Sequence, residues 1–382
     1  MSGLLEAVLW GWALLLTLFW VGLAAGVPGW GRGYALARAS APAGAGPVRV
    51  CVPARDEAAN IAACVRALRA WAHPGLEIIV VDDRSGDGTG ELARAAAEGD
   101  ARVEVREGSE PPAGWSGKAW ACTRAAEGFG GRWLVFVDAD VIVDPGLLDA
   151  LLAVAVSEGR AMVSVFGTWT LGTFWERAAI PAIGWFIRGS VDLRAANDPA
   201  GAPAFANGQC ILVAAGPYAA LGGHGAVRGD VLDDVRLAEA FRSAGHPRAL
   251  RVAPWGFSVR LYRSLEEIYR GYAKNLYEGM GRRPAVGAAA VAFVLLTTFS
   301  PVAVVAAGVG GGAPALAVLG AVVLALQVWF RWRVERRDGR SGAMAWAHLP
   351  GNAVLLAALL RSVLGPRVAW KGRVFTGGQA AR

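Results

Sequence analysis

The chain has 382 residues, of which 54% are hydrophobic and 18% charged, and it carries a formal net charge of +7 at pH 7. That charge comes almost entirely from arginine, because Lys118, Lys274 and Lys371 are the only lysines. The arginines gather beside apolar segments, which favours anionic lipid headgroups over nucleic acid as their partner. The composition therefore indicates a membrane protein with a polar middle and argues against a nucleic-acid-binding protein.

The first predicted element is an apolar helix from Leu4 to Val27, long enough to cross a hydrocarbon core that needs roughly 20 residues. A cleaved signal peptide is the alternative. No Lys or Arg precedes the segment, however, and its apolar run exceeds the roughly 7–15 residues of a secretory signal. We therefore expect an uncleaved anchor, with residues 1–46 forming the anchor and a linker.

Residues 47–284 alternate short apolar runs with amphipathic segments. Strands are predicted at 48–54, 76–83, 101–107 and 132–140, and helices at 57–71, 89–99 and 117–128. This βαβαβαβ series predicts an α/β fold with a mostly parallel sheet covered by helices. Ligands of such sheets bind beyond the carboxyl ends of the strands, so we expect the polar clusters "PARDE", "DDRSGDGT" and "DAD" to share one rim.

Two of the polar features allow both functional and structural interpretations. In "DDRSGDGT", Asp83, Ser85 and Asp87 could accept hydrogen bonds from a base or ribose, although Asp87 or Thr89 could instead cap the next helix. Lys118 begins a helix after a glycine-containing loop, where its ammonium group would suit a diphosphate; the alternative is an exposed first-turn lysine.

Two aspartates, Asp138 and Asp140, end the fourth predicted strand. Carboxylate oxygens are the ligands that Mg²⁺ and Mn²⁺ prefer, and one or two of them often suffice together with substrate phosphates. A solvated strand end that caps the following turn would show the same pattern. The pair by itself is thus a weak prediction of a metal site.

A further acidic pair, Asp233 and Asp234, begins an amphipathic helix. Adjacent acids at a helix start are ordinary capping residues, but one can also orient a pocket while the other accepts a proton as a general base. Glycine-rich loops nearby carry Asn207, Gln209 and His224. His224 could contact a leaving group or an acceptor, or be an ordinary surface residue.

Two apolar segments near the C-terminus, Ala285–Gly311 and Ala313–Phe330, are separated by a glycine-rich turn and predict a hairpin. Basic residues border the spans at Arg32, Arg38, Arg282, Arg283, Arg331, Arg333, Arg336 and Arg337. By the positive-inside rule, the N-terminus lies outside and the middle domain is cytoplasmic, in an inner or plasma membrane.

A fourth apolar segment contains Pro350 and Gly351. A full crossing would place the basic stretch Arg367–Phe375 outside, so we expect a broken, re-entrant or interfacial helix there. The aromatic-rich segment Gly167–Gly189 is expected to be interfacial and to line a lipid entry, or to be core. The cysteines, at positions 51, 64, 122 and 210, lack metal-site spacing and are expected to be reduced thiols without a function.

The ordered set "VPARDE", "VVDDRSGDGT", "GWSGKAWA", "FVDAD", "NGQ", "GGHGAVRGDVLDDVRLA" and "RLYRSLEEIYRGYAKN" resembles the membrane-bound family-2 glycosyltransferases. Within them it is most similar to the carotenoid-type (diaponeurosporenoate) and hopanoid-associated enzymes. The resemblance covers residues 47–284 and the arrangement of apolar segments, and it leaves residues 285–382 as a C-terminal membrane region.

The resemblance implies a GT-A fold, a nucleotide-sugar donor, a divalent cation (Mg²⁺ or Mn²⁺) and inversion at the anomeric carbon. Matched by position, the expected donor-binding residues are Pro53, Arg55, Glu57, Asp83, Lys118 and Asp138. Asp140 would bind the metal and Asp234 would be the base, with Asp233 beside it. Asn207, Gln209 and His224 would lie towards the acceptor or the leaving group.

The sequence departs from the family in two places. The usual Glu-Asp pair before the catalytic helix is Asp233-Asp234, and "RGYAKN" replaces the Gln-x-x-Arg-Trp motif of processive synthases. We therefore expect a single transfer, from a nucleotide-sugar, UDP-hexose by preference, to a lipid such as a carotenoid, a hopanoid or another isoprenoid or glycerolipid. The alternatives are a metal-dependent nucleotidyl- or phosphotransferase and a non-enzymatic transporter or scaffold.

Overall fold

The computed structural model describes residues 3–365 in full and, beyond them, the backbone of three short strands. The side chains of the basic stretch Arg367–Phe375 therefore lie outside the described residues. The strands are β1 Val48–Ala54, β2 Leu76–Asp82, β3 Val103–Glu107, β4 Trp133–Val137, β5 Val141–Val143, β6 Met162–Phe166, β7 Thr168–Trp169, β8 Cys210–Ala214, β9 Arg248–Val252, β10 Phe257–Val259, β11 Arg367–Trp370, β12 Arg373–Thr376 and β13 Gln379–Ala380.

The helices begin and end as follows: α1 Gly3–Gly26, α2 Ile61–Arg69, α3 Thr89–Ala97, α4 Gly117–Ala126, α5 Leu147–Ser157, α6 Phe174–Ser190, α7 Leu193–Asn197, α8 Ala215–Ala220, α9 Asp233–Ser243, α10 Leu265–Gly279, α11 Pro284–Val294, α12 Ser300–Gly310, α13 Pro314–Arg337 and α14 His348–Leu364. A π-helical segment, Leu295–Phe299, joins α11 to α12, and a short 3₁₀ helix, Gly223–Val227, precedes α9.

The main sheet has seven strands in the order β3-β2-β1-β4-β8-β6-β9. All neighbours run parallel except β8, which is antiparallel to both β4 and β6. Every side chain of β4 is buried, as expected for a strand covered by helices on both faces. The predicted α/β fold with a mostly parallel sheet is confirmed.

The fourth strand is shorter than the sequence predicts. β4 ends at Val137, and the chain turns through Asp138, Ala139 and Asp140 before β5 begins. A hydrogen bond from Val141 N to Asp138 O, 3.1 Å, closes this turn. Both aspartates therefore belong to a turn at the carboxyl end of a buried strand, because β5 leaves the main sheet to pair with β10.

The chain forms two compact units that are not contiguous in sequence. The α/β unit comprises Gly33–Thr170, Val191–Leu261 and Arg367–Arg382; the helical unit comprises Met1–Arg32, Leu171–Ser190 and Tyr262–Pro366. This division differs from the predicted segments 1–46, 47–284 and 285–382. The difference arises because α6 and α10 pack against α14, whereas Leu36 N bonds to Val252 O of β9 at 3.0 Å.

Among the residues that the structure describes, four helical segments are long and apolar enough to cross a membrane: Gly3–Tyr34, Pro284–Gly310, Pro314–Arg337 and Ala345–Leu364. The predicted hairpin is present as α12 and α13, which pack closely. A Cβ on Gly308 would lie only 2.5 Å from Ala317 N, so a glycine is needed at this contact. Small residues at such crossings let the backbones of two apolar helices approach closely, so that van der Waals contacts hold the helices together.

The expected break at Pro350 and Gly351 is wrong. α14 runs without interruption from His348 to Leu364, and Pro350 lies in its first turn, where the missing N–H would have no partner within the helix. Gly351 serves close packing instead, since a Cβ there would lie 2.1 Å from Ala178 O of α6. The two residues that suggested a break are therefore a tolerated proline and a helix contact.

Arg331, which directly follows the apolar segment Ala313–Phe330, is a buried arginine with partners inside the protein. It is 1% exposed, pairs with Glu335 at 2.8 Å and donates to the carbonyls of Ala178, at 3.1 Å, and Arg177 in α6. Pro181 of α6 has no N–H to offer the Arg177 carbonyl, so Arg331 satisfies an acceptor that the proline leaves without a helical partner. This arginine is structural.

The aromatic-rich segment is divided between the interior and the surface. Within α6, Trp185 is buried against Trp30 and Phe330, whereas Phe174 is 42% exposed. Trp169 lies apart from them, in the α/β unit on β7. Neither the interfacial nor the core interpretation therefore describes the whole segment.

Candidate active site

One pocket in the α/β unit brings several predicted residues together. It lies where β1 and β4 end and where α4 and α9 begin, as expected for the carboxyl edge of a parallel sheet. Its lining consists of Pro53, Lys118, Cys122, Phe136, Val137, Asp138, Gly208, Ile211, His224, Asp233, Asp234 and Leu237. Residues far apart in the sequence thus converge on one polar site.

Lys118 reaches this pocket because of how α4 begins. Ser116 caps the helix by accepting a hydrogen bond from Ala119 N at 3.1 Å, and Ser116 N donates to Arg228 O at 2.6 Å. The lysine is then held in the first turn, with its Nζ 2.8 Å from Asp138 Oδ1 and 3.8 Å from an oxygen of Asp233. The lysine side chain is 40% exposed, as the alternative interpretation expects, but its ammonium group is paired with carboxylates of the pocket.

The acidic neighbours keep Lys118 charged. Burial by itself would lower the pKa of this ammonium group, but the carboxylates of Asp138 and Asp233 outweigh that effect and raise the pKa well above its ordinary value. A fixed positive charge therefore lies at the centre of the pocket at any physiological pH. Such a charge is suited to stabilising a diphosphate.

The acids at the start of α9 do not act as ordinary caps. The residue that caps this helix is Leu232, which makes no side-chain capping bond. Asp234 instead reaches outside its helix, because its Oδ2 accepts a hydrogen bond from Gly208 N at 2.7 Å, while its Oδ1 accepts one from Val235 N at 2.8 Å. A Cβ on Gly208 would lie 2.8 Å from that Oδ2, so this approach requires glycine.

Asp234 has the ionisation expected of a base. Burial and the neighbouring charge of Asp233 raise its pKa to about 6, although Lys118 and the two backbone N–H donors act in the opposite direction. A carboxylate with such a pKa is ionised at neutral pH and still holds a proton better than an ordinary aspartate.

His224 is buried rather than on the surface, with 4% of it exposed. Its Nδ1 lies 2.8 Å from the hydroxyl of Tyr218, and its Nε2 lies 3.9 Å from Asp233 Oδ2. Burial lowers its pKa to about 4 despite the nearby Asp233, so the ring is neutral at physiological pH. Sequence reasoning missed Tyr218, for which the only signal was its position six residues before a candidate histidine.

Asn207 and Gln209 hold the loop that leads into β8. The side-chain amide of Asn207 donates to Val165 O at 2.7 Å and to Gln209 Oε1 at 3.0 Å, and Gln209 O accepts from Asp138 N at 3.2 Å. Neither residue is among the described residues that line the pocket. They position Gly208 and Asp138, and their contact with an acceptor stays a prediction.

The predicted donor rim is built from two loops, after β1 and after β2. Arg55 donates to Asp83 O at 3.0 Å and lies 3.8 Å from the Asp83 carboxylate, which is 6% exposed. Glu57 N donates to Thr89 Oγ1 at 2.8 Å, so this hydroxyl joins the loops instead of capping α3. Asp87 accepts from Ala58 N at 2.9 Å and from Thr89 N at 3.1 Å, and Ser85 also accepts from the first loop.

The turn after β4 suits a divalent cation only in part. Within residues 3–365, no group of three or more His, Cys, Asp or Glu is arranged to hold a metal ion. Asp138 is paired with Lys118, and the partly exposed Asp140 is the other carboxylate of this turn. One or two carboxylates completed by substrate phosphates and water are what Mg²⁺ or Mn²⁺ needs, so the donor set fits.

The four cysteines are buried and unpaired by disulfides, in agreement with the predicted reduced thiols. Cys122 also borders the pocket. Burial raises the pKa of Cys51 to about 12 and that of Cys210 to about 12, which leaves these thiols protonated and unreactive.

Comparison with known proteins agrees with this geometry. Residues 49–203 match the family described as Glycosyl transferase family 2. The structure of mannosyltransferase PcManGT from Pyrobaculum calidifontis in complex with GDP-Man and Mn²⁺ is similar over 93% of this chain and 99% of that one, with a TM-score of 0.56 and 19% identity. That likeness shows a shared fold.

Glucosyl-3-phosphoglycerate synthase from Mycobacterium tuberculosis is also similar, over 62% of this chain and 79% of that one, at 20% identity and a TM-score of 0.41. No curated protein matches the sequence. The family match excludes a transporter or scaffold without an enzymatic domain. Residues 49–203 thus match a glycosyl transferase family 2 domain, and the chain shares the fold of a known glycosyltransferase.

Proposed function

We propose that this enzyme is an inverting, non-processive glycosyltransferase that moves a hexose from a nucleotide-sugar, preferably UDP-hexose, to a membrane lipid. The observation that carries the proposal is the pairing of a cation with a base in one pocket: Lys118 beside Asp138, and Asp234 held by Gly208 N. Such a site can stabilise a leaving diphosphate on one side and accept a proton on the other. Both are needed when a hydroxyl displaces a nucleoside diphosphate.

In the proposed reaction, an acceptor oxygen attacks the anomeric carbon as the bond to the diphosphate breaks. Asp234 takes the hydroxyl proton, and the electron pair of the broken bond leaves with the nucleoside diphosphate. Lys118 counters the charge that develops on that diphosphate. Asp233 orients this arrangement, because its carboxylate lies within 3.8 Å of Lys118 and adjoins the base.

The donor would occupy the rim built by the loops after β1 and β2. Pro53 borders the pocket, and Arg55, Glu57 and Asp83 are held beyond it by the contacts between these loops. We assign these residues to the nucleoside and Asp138 to the ribose or sugar. A divalent ion held by Asp140 would neutralise diphosphate charge when bound. GDP-mannose, which the mannosyltransferase from Pyrobaculum calidifontis binds, is the competing donor.

The acceptor is inferred from the apolar helices. Four helical segments could cross a membrane, which makes a lipid with a polar end at the surface the simplest acceptor. A carotenoid, a hopanoid or another isoprenoid or glycerolipid would qualify. Asn207, Gln209 and His224 are assigned to the acceptor or leaving-group side. Arginines at Arg282, Arg283, Arg333 and Arg336 favour a multi-pass protein of the inner or plasma membrane with a cytoplasmic α/β unit.

The experiment that tests this function is a product analysis. Membranes that contain the enzyme are incubated with labelled UDP-hexoses and with GDP-mannose, and lipids and soluble products are identified by mass. A glycosylated lipid together with nucleoside diphosphate supports the proposal. Pyrophosphate or a phosphorylated lipid would instead support the alternative, a metal-dependent nucleotidyl- or phosphotransferase.

The pH profile of the reaction provides a second prediction. Because Asp234 must be deprotonated to act and its pKa is raised to about 6, kcat/KM should fall as the pH drops through about 6 and level off above it. An aspartate with an ordinary pKa of about 3.9 would keep roughly nine-tenths of its activity down to about pH 5. Full activity at pH 5 would contradict the assignment of Asp234 as the base.

A further inference from the structure

We propose that Tyr218 is a positioning residue: its hydroxyl fixes His224 in the tautomer that carries the proton on Nε2 and thereby turns an N–H group towards Asp233. This inference rests on the proposed function, because Asp233 matters to catalysis as the neighbour of the base Asp234. It concerns Tyr218 and His224, neither of which gives or takes a proton in the proposed reaction.

The hydrogen bonds of Tyr218 determine the tautomer. In the described part of the chain, its hydroxyl accepts from the backbone N of His224 at 3.1 Å and lies 2.8 Å from Nδ1 of the same residue. The hydroxyl has one proton, which Nδ1 can accept. If Nδ1 were itself a donor, the buried phenolic proton would lose this acceptor, which costs about 1–3 kcal/mol.

Close packing holds this pair in place. Gly223 has a φ of +57°, and a Cβ there would lie 2.7 Å from the Tyr218 ring, so the chain can pass the ring only as glycine. Phe136 of β4 contacts both partners, with ring centroids 5.3 Å from Tyr218 and 4.5 Å from His224. The imidazole therefore cannot exchange its two nitrogens by rotating without disrupting the core.

The consequence falls on Asp233. Its Oδ2 lies 3.9 Å from His224 Nε2, and its Oδ1 lies 3.8 Å from Lys118 Nζ. A neutral N–H group and a cation thus flank one carboxylate. In the other tautomer, a lone pair on Nε2 would face that carboxylate and repel it.

The effect extends from Asp233 to the base. The groups that act on His224 are Tyr218 from α8, Asp233 from α9 and Lys118 from α4. Because burial lowers the pKa of His224 to about 4, the ring that faces Asp233 is neutral. The tautomer then determines the direction of its dipole. The charge on Asp233 in turn raises the pKa of Asp234. The direction of the His224 dipole therefore affects the proton affinity of Asp234 through Asp233.

Nitrogen-15 NMR of the histidine side chains tests the tautomer without any activity assay. The full-length protein in detergent contains four histidines, and His224→Gln identifies the signal of His224. The native protein should show His224 with its proton on Nε2 alone, and Tyr218→Phe should show a mixture of both tautomers. A Nδ1-protonated ring in the native protein would overturn the proposal.

Kinetics then test the consequence. Tyr218→Phe should lower kcat/KM about tenfold, the effect of losing one buried hydrogen bond. The acid limb of its pH profile should move to higher pH, because a lone pair on Nε2 that faces Asp233 favours protonation of the adjoining Asp234. A change in packing alone would lower stability and leave the profile where it was, and an unmoved profile would count against the inference.

Two substitutions of His224 form a matched pair. Glutamine places an amide N–H where Nε2 lies, whereas asparagine reaches only the position of Nδ1. His224→Gln should therefore lower kcat/KM less than His224→Asn does and become insensitive to Tyr218→Phe, while His224→Asn should show the full tenfold loss. Equal losses in both variants would refute the role of Nε2. If the native enzyme transfers no sugar, the proposed function fails, whereas the NMR result still decides the tautomer.

Discussion

Asp234→Asn is expected to lower transfer to a hydroxyl acceptor by about 10²–10⁴-fold, the usual contribution of a general base. Asparagine keeps the shape of the side chain and an oxygen for the hydrogen bond from Gly208 N, but it cannot take a proton. The loss should therefore appear in kcat/KM measured with the identified donor and lipid. The thermal unfolding temperature should fall by only a few degrees, because the amide NH₂ cannot accept the second hydrogen bond, from Val235 N.

A matched control separates this effect from the loss of one negative charge. Glu91 lies exposed in the first turn of α3 and is not among the described residues that line the pocket, so Glu91→Gln removes the same charge and should retain native turnover. An Asp234→Asn enzyme that transfers sugar to a hydroxyl at the native rate would show that Asp234 is not the base. If mass analysis identifies a sugar ester, the loss should be much smaller, because a carboxylate acceptor is already ionised at neutral pH.

Asp140→Ala is expected to abolish metal-dependent turnover, with a loss of roughly a thousandfold or more, since charge neutralisation at a diphosphate is worth several kcal/mol. Asp140 lies in the turn that follows β4, beside the Lys118–Asp138 pair. The direct measurement is a titration of the protein with Mn²⁺ in the presence of nucleoside diphosphate, in which electron paramagnetic resonance detects the free ion. The variant should bind Mn²⁺ far more weakly than the native protein.

Asp144→Ala provides the control from the same region of the chain. Asp144 follows β5 and pairs with Arg38 at 2.8 Å, so its loss should cost about 1 kcal/mol of stability without affecting metal binding. Unchanged Mn²⁺ affinity and unchanged metal-dependent activity in Asp140→Ala would remove Asp140 from the site. A defect shared by both variants would point to distortion of the turn instead.

The sequence was sufficient to predict the α/β architecture and the position of the site. The strand from Val48 to Ala54 has the predicted bounds, and the next strand differs from the prediction by one residue, at Asp82. These runs are predictable because a buried parallel strand must be apolar along its length. The polar residues that follow them then share one edge of the sheet, which placed Lys118, Asp138 and the acids of α9 in one pocket.

Local pattern failed where distant contacts decide the conformation. Pro350 and Gly351 suggested a broken helix, but the contact of Gly351 with Ala178 stabilises a continuous α14. The periodicity of residues 171–190 could not show that α6 packs with the apolar helices. In both cases the deciding partner lies more than 100 residues away in the sequence.

The sequence by itself determined the class of fold, the four apolar helices and the chemical types present at the rim, because hydrophobic pattern and strand-end polarity are local properties. Only the tertiary structure decided how those side chains act. It shows that Gly208 N donates to Asp234 and that the hydroxyl of Tyr218 contacts His224. Such roles depend on distances of about 3 Å between residues on different elements, which hydrogen bonding requires and which no spacing along the chain can specify.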